Sequence, residues 1–222
     1  DLSFPEMRWR EIGPTRAGRA RAVSGVASLP NTFYAGFDNG GVWRSTDYGA
    51  NWVPIFDDQP TASIGAIAVA PTNPNTIYVG SGAGIIRPDL AIGDGMYKST
   101  DAGKTWTHLG LRESQMIAAI AVDPRNENRL FVAVLGHPYG PNPERGVFRS
   151  TDGGRTWKEA ATPPAFAPDS GRVVDHTFWL TPAHGNEPDV WYAGTSPQGL
   201  FRSADGGMTW VGLSSINDDM RF

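Results

Sequence analysis

Asp94, Glu113 and Glu144 stand in or beside connections rich in Gly and Pro, where a carboxylate can meet a ligand rather than a core. Acid–base cleavage of a glycosidic bond needs two carboxylates about 5–10 Å apart. By loop position these three residues, with Asp89, are the candidates for such a pair. A salt bridge or a turn uses the same residue types, and that plainer role stays open for each. Arg87, Arg112 and Arg145 occupy the same connections, joined by Arg16, Arg19 and Arg172, so a chain of net charge −4 is expected to gather arginines on one face. A guanidinium can take a carboxylate or sulfate through two parallel hydrogen bonds. It can equally pair with Asp57, Asp89, Glu113 or Glu144. His137 and Tyr139 offer rings on which a sugar could stack, or against which their own loop could pack.

Other chemistries find no residues. There is no Cys, so disulfides and thiolate metal sites are excluded. The four histidines are scattered, so no metal site is expected. No Gly-rich loop opens a helix to cradle a phosphate, and no nucleophile elbow is present, so no cofactor is expected. The acidic balance argues against a nucleic-acid surface. The longest apolar run, Met116–Val122, is too short to span a bilayer.

A repeat must position these residues. Ser45, Asp47, Gly49 and Trp52 form an eight-residue box that returns as Ser99, Asp101, Gly103 and Trp106, as Ser150, Asp152, Gly154 and Trp157, and as Ser203, Asp205, Gly207 and Trp210. The spacings are 54, 51 and 53 residues, a period that marks a repeat architecture. Each box lies between two short apolar runs and therefore connects a hairpin. Asp and Ser accept local hydrogen bonds, Gly supplies a positive φ, and Trp covers the turn. All sixteen residues are assigned a structural role.

Four short strands per repeat predict an all-β propeller of four-stranded antiparallel blades. The blades cover about residues 21–56, 65–109, 116–160 and 173–213 of a single domain spanning 1–222. First strands built mostly of Ala, Val, Ile and Gly suit the crowded axis, and Pro54 suits an edge. His108 is expected to be exposed on an outer strand, and His176 and Trp179 to pack in an inner one. No helix is expected. Residues 7–13 read as a spare outer strand, so the chain is part of a larger ring, pairs with a second copy through an unpaired edge, or places that strand irregularly.

The pattern S-x-D-x-G-x-x-W resembles the Asp-box, or BNR repeat, of propellers such as sialidases, xyloglucanase-type glycosidases and sortilin-like domains. The resemblance implies that the box is structural, that ligands bind on the opposite face around the axis, and that the protein is extracellular or periplasmic. Asp94–Trp106 and Gly136–Gly146 resemble large bacterial proteins of sortilin-like or glycosyl-hydrolase type, whereas Val190–Gly207 resembles a sialidase branch. A composition shift at Ala160–Pro168 places a join between these halves near 160–170. The Arg-Ile-Pro motif of sialidases is absent, and Arg149 and Arg202 precede boxes on the wrong face, which disfavours sialidase activity.

With four structural turns and no complete catalytic set, the expected function is a non-catalytic scaffold or binding module presenting its loop face to a protein or glycan partner. The alternatives are a glycoside hydrolase, or a piece of one, acting on a polysaccharide, and a mosaic or engineered propeller made for assembly.

Overall fold

The computed structural model describes residues 18–85 and 91–218. The spare strand at residues 7–13, with Arg16, Arg87 and Asp89, lies outside them. The described residues form four antiparallel sheets, each of four strands paired in chain order. Blade one holds β1 (Arg19–Val26), β2 (Leu29–Asp38), β3 (Gly41–Ser45) and β4 (Val53–Pro54). Blade two holds β5 (Ile64–Val69), β6 (Ile77–Ser81), β7 (Met96–Ser99) and β8 (Thr107–His108). Blade three holds β9 (Ile117–Asp123), β10 (Asn126–Val134), β11 (Gly146–Ser150) and β12 (Lys158–Glu159). Blade four holds β13 (His176–Pro182), β14 (Trp191–Ser196), β15 (Gly199–Ser203) and β16 (Val211–Gly212). One short helix, α1 (Ser214–Asn217), corrects the expectation of none.

The continuous apolar run of β6 is buried along its whole length, as suits a strand covered on both faces. The first strands are innermost: β1 packs on β5, β5 on β9 and β9 on β13. No comparable contact joins β13 to β1 among the described residues, so the blades form an arc. Close approach of a second strand to the first strand of the next blade explains two glycines. A Cβ on Gly36 would lie 2.5 Å from Cγ2 of Ile64, and one on Gly80 would lie 2.5 Å from Cγ2 of Ile117.

The four boxes share one hydrogen-bond pattern. The Ser hydroxyl donates to the Asp carboxylate at 2.9, 2.7, 2.7 and 2.8 Å in chain order. The same hydroxyl accepts the Gly N–H at 2.9, 2.8, 2.8 and 2.8 Å. The other Asp oxygen accepts 2.6 Å bonds from the Thr105, Thr156 and Thr209 hydroxyls, or from the Asn51 amide in the first box. Two successive residues in each turn have positive φ, among them Tyr48 and Ala102, which carry side chains. The turn then reaches outward: the N–H groups of Tyr48, Ala102, Gly153 and Gly206 donate to the carbonyls of Asn31, Asn75, Asn128 and Asp189. Box turns and first-to-second-strand links therefore share one face. The remaining links, joined by bonds such as Gly41 N–H to Ala62 O and Gly82 N–H to Ser63 O, share the other.

Adjacent blades are stapled by the box Trp. The Trp106 indole N–H donates to Ile55 O of blade one at 2.6 Å, and that of Trp157 donates to Leu109 O of blade two at 2.7 Å. Those carbonyls hold the same place, three residues after the preceding box Trp. The side chains of Ile55 and Leu109 sit where a Cβ of Gly103 or Gly154 would be, at 2.5 and 2.4 Å. The third seam departs from this rule. Trp210 is buried with its indole N–H unpartnered, and an isolated parallel bridge, Thr162 to Thr209, joins blades three and four instead.

Two outcomes follow from the turns. Gly49→Ala is expected to cost about 1–2 kcal/mol for its left-handed backbone, and Gly103→Ala about 1–3 kcal/mol more because Ile55 fills the space; urea unfolding of both variants measures the difference. The box carboxylates are held well below the usual carboxylate range, chiefly by the Thr105 hydroxyl at Asp101, which sits at about 2. Asp205 also sits at about 2, where burial acts the other way but is outweighed by bonds from Thr209. Their contribution to stability is complete above the unfolded carboxylate pKa of about 4 and is lost as pH falls from about 4 to 2. Replacing Thr105, Thr156 and Thr209 by Val is expected to flatten the dependence of the urea midpoint on pH across that window.

Candidate functional site

The face opposite the boxes carries the sequence candidates, and it divides them into three groups. Asp94 precedes β7 and is bound closely. The Tyr97 hydroxyl donates to both of its oxygens, at 2.8 and 2.7 Å, and Arg112 approaches to 3.8 Å. Burial first, then the neighbouring carboxylate, push the Tyr97 phenol above its ordinary pKa, which keeps it a donor. His108 donates through Nε2 to Asp94 O at 2.8 Å and accepts the Gly110 N–H at Nδ1. Its side chain is only 17 % exposed, which corrects the expectation of an open outer-strand histidine.

Glu113 and Glu144 are brought together from different blades. The Glu113 N–H donates to Oε2 of Glu144 at 2.8 Å, and the Asn142 amide donates to Glu113 O at 2.6 Å. Glu113 lies in a 3-10 turn, Arg112–Ser114, flanked by Leu111 and Gln115 with φ of 55° and 52°. Side chains pay about 1–2 kcal/mol for such a backbone, so this link is held by its surroundings.

His137, Tyr139 and Arg145 form one loop. Arg145 donates to the carbonyls of Leu135, His137 and Gly140 and so serves the loop's own backbone. Tyr139 is exposed, edge-on to His137 with ring centres 6.4 Å apart, and its N–H donates to His137 Nδ1. Arg172 lies apart. It stacks over Phe166 at 3.9 Å and donates to the carbonyls of Asn217 and Gln198, beside a groove of about 700 Å³ on blade four. Trp179, expected in the core, is half exposed, and His176 pairs with Asp175 at 2.8 Å.

Asp38 was absent from the sequence candidates. It ends β2 on the same face and is 6 % exposed. Ser63, just before inner strand β5, donates its hydroxyl to Asp38 at 2.8 Å, and Arg19 stands 3.9 Å away. Among the described residues the buried carboxylates are Asp38 and Asp123. Asp123 belongs to the box face, between Arg125 and Arg129. Asp38 is therefore the buried carboxylate of the loop face. A separate recess of about 310 Å³ is lined by Arg21, Ile85, Ala118, Leu135, His176 and Phe178, drawn from all four blades and their links. No group of three or more His, Asp or Glu among the described residues could hold a metal ion.

The family described as Sortilin, neurotensin receptor 3 matches residues 40–163, more than half of the chain. The chain belongs to this Sortilin-Vps10 family. The match ends inside the composition shift that precedes blade four. By sequence, this Sortilin-Vps10 chain is 28 % identical over 205 residues to xyloglucanase Xgh74A of Acetivibrio thermocellus, covering 80 % of the chain and 23 % of the relative. It is 25 % identical over 216 residues to a probable oligoxyloglucan-reducing end-specific xyloglucanase of Neosartorya fischeri, covering 92 % and 25 %. The chain thus spans about a quarter of the length of these curated relatives. By structure, it is similar to the GH74 xyloglucanase of Xanthomonas campestris, with TM-score 0.65, 21 % identity, 88 % of this chain and 30 % of that one. It is also similar to YCF48 of Cyanidioschyzon merolae, with TM-score 0.59, 13 % identity, 92 % and 58 %. Those structures speak to the fold alone. The sequence relatives overturn the expectation of a non-catalytic scaffold: they are xyloglucanases.

Proposed function

We propose that this chain is a blade arc of a glycoside hydrolase acting on a xyloglucan-type polysaccharide, with Asp38 as one of its two working carboxylates. The observation that carries the reading is the likeness to xyloglucanases over 80 % and 92 % of the chain. The chemistry of the loop face supports it. Hydrolysis of a glycosidic bond requires carboxylates held in fixed places, and Asp38 is fixed by Ser63 from the neighbouring blade. Exposed Tyr139 offers a ring for stacking on a sugar, and Asp94, Glu113 and Glu144 are the candidates for the second carboxylate.

Release of reducing ends from xyloglucan tests this. Turnover is expected in the wild-type chain, with a loss of at least about a hundredfold in Asp38→Asn and little change in Asp169→Asn, an exposed control in a loop of the same face. A chain that neither cleaves nor binds xyloglucan sinks the reading. Turnover that survives Asp38→Asn removes Asp38 from it.

A further inference from the structure

Each third strand carries a cation one residue before its box Ser: Arg44, Lys98, Arg149 and Arg202. At the first seam this cation spans the gap between blades, where Arg44 Nη1 donates to the Ala102 carbonyl of the next box at 2.9 Å. At the second seam the residue is Lys98, and its ammonium stands beside Gly153, the counterpart of Ala102. A Cβ on Gly153 would lie 2.7 Å from Lys98 Nζ. A compact ammonium lacks the forked reach of a guanidinium. A pocket of about 210 Å³ remains, lined by Lys98, Thr100, Thr107 and Leu109 of blade two and by Gly153 and Arg155 of the next box. Thr105 also borders it, but its hydroxyl is given to Asp101.

Register brings the polar groups together. Thr107 pairs directly with Lys98 across β7 and β8, and Thr100 follows Lys98 by two residues, so the three side chains share one side of the blade. In blades one and four the residue opposite the cation is Val53 or Val211, and in blade three it is Lys158. Only in blade two does a hydroxyl face it. The Lys98 ammonium rests over the Tyr78 ring at 5.1 Å and has no ion-pair partner among the described residues. Burial holds it below its ordinary pKa; Glu127 acts the other way, and Arg155 adds to the lowering. Arg155 gives one N–H to Asp152 O at 3.3 Å. Thr100 and Thr107 are exposed, and their hydroxyls make no hydrogen bond among the described residues.

We propose that this pocket binds a tetrahedral oxyanion, sulfate or phosphate, between the Lys98 ammonium and the Arg155 guanidinium, with the Thr100 and Thr107 hydroxyls as further donors. Two like charges lining one pocket repel, and an anion between them removes that cost. The donors come from the third strand, the fourth strand and the next blade. That spread suits an ion with acceptor oxygens on every side better than a planar carboxylate, which a single guanidinium takes in one plane. The nearby box carboxylates do not compete, because Asp101 and Asp152 accept bonds within their own turns. The proposal stands independently of the hydrolase reading, because the pocket lies at the box turns and Asp38 belongs to the opposite face.

Titration of the chain with sodium sulfate and with inorganic phosphate tests this, at an ionic strength held constant with chloride. NMR is expected to show saturable shifts of the Thr100, Thr107 and Arg155 amides, with half-saturation in the millimolar range. Lys98→Met and Arg155→Gln are each expected to weaken binding about tenfold or more, as for loss of a hydrogen bond to a charged group. Lys98→Arg keeps the charge but reaches Gly153 O as Arg44 reaches Ala102 O, so it is expected to fill the pocket and weaken binding as much. Unchanged indole signals of Trp106 and Trp157 show that each variant is folded. A sulfated monosaccharide distinguishes the source of the anion: binding tighter than that of free sulfate assigns the site to an ester on a sugar, and equal or weaker binding to the free ion. A linear response without saturation overturns the proposal. Full-strength sulfate binding in Lys98→Arg also overturns it, because charge alone and not the pocket then attracts the ion.

Discussion

The hydrogen bond between Ser and Asp in each box is the interaction on which the rest of this structure depends. It is short in all four turns, from 2.7 to 2.9 Å. It frees neither partner: the same Ser oxygen accepts the Gly N–H, and the same carboxylate accepts bonds from the residue before Trp. This closed network lets two successive residues hold positive φ, which costs about 1–2 kcal/mol wherever a side chain is present. With the turn so held, its next N–H points at a carbonyl of the neighbouring link, and in the second and third boxes its Trp points at the preceding blade. One local arrangement therefore sets the hairpin, its attachment within the blade and the attachment of that blade to the one before.

The seams show how far this arrangement reaches. Trp106 and Trp157 find carbonyls of the preceding blade because the links that follow the preceding Trp, 12 and 11 residues long, return the chain to the axis at once. The link before blade four is longer and carries Ala160–Pro168. Its Thr162 takes the backbone of Met208 and Trp210 as partner, Gly207 then lies against Phe131 of the middle of blade three, and the indole of Trp210 has no partner. A buried donor left unmade costs about 1–3 kcal/mol. Apolar burial offsets that cost: Phe131, Trp191 and Phe201 share one core with Trp210. The seam is thus held by packing where the others are held by packing and a directed bond.

The boxes were legible in the sequence because everything they need lies within eight residues, and the blades were legible because the boxes mark their third and fourth strands. The site was less so, because its decisive contacts are between blades. Asp38 sits in Asp38-Asn-Gly-Gly41, which reads as an ordinary turn. What singles it out is burial beneath Ser63, 25 residues away, and that depends on how inner strand β5 lies on β1. His108 misled for the same reason. Its two-residue strand is an edge, but the carbonyl of Asp94 and the ring of Tyr97 cover it. The long loops drew attention to Arg145, and the loop itself consumes that arginine.

The two faces use their carboxylates differently. The box face spends its carboxylates on its own turns, where Thr and backbone donors lower their pKa and keep them charged. The loop face holds one carboxylate in a different way. Asp38 meets a hydroxyl from the next blade and a guanidinium from its own, so its position is set by the seam between blades one and two and not by any local turn. That seam is one of the two with a complete Trp staple. A group fixed across a rigid seam keeps its place while the loops around it change, as the role proposed for Asp38 requires. Repeats of one structural turn thus hold the blades from the box face and leave the position of Asp38, on the opposite face, to the packing of one blade on the next.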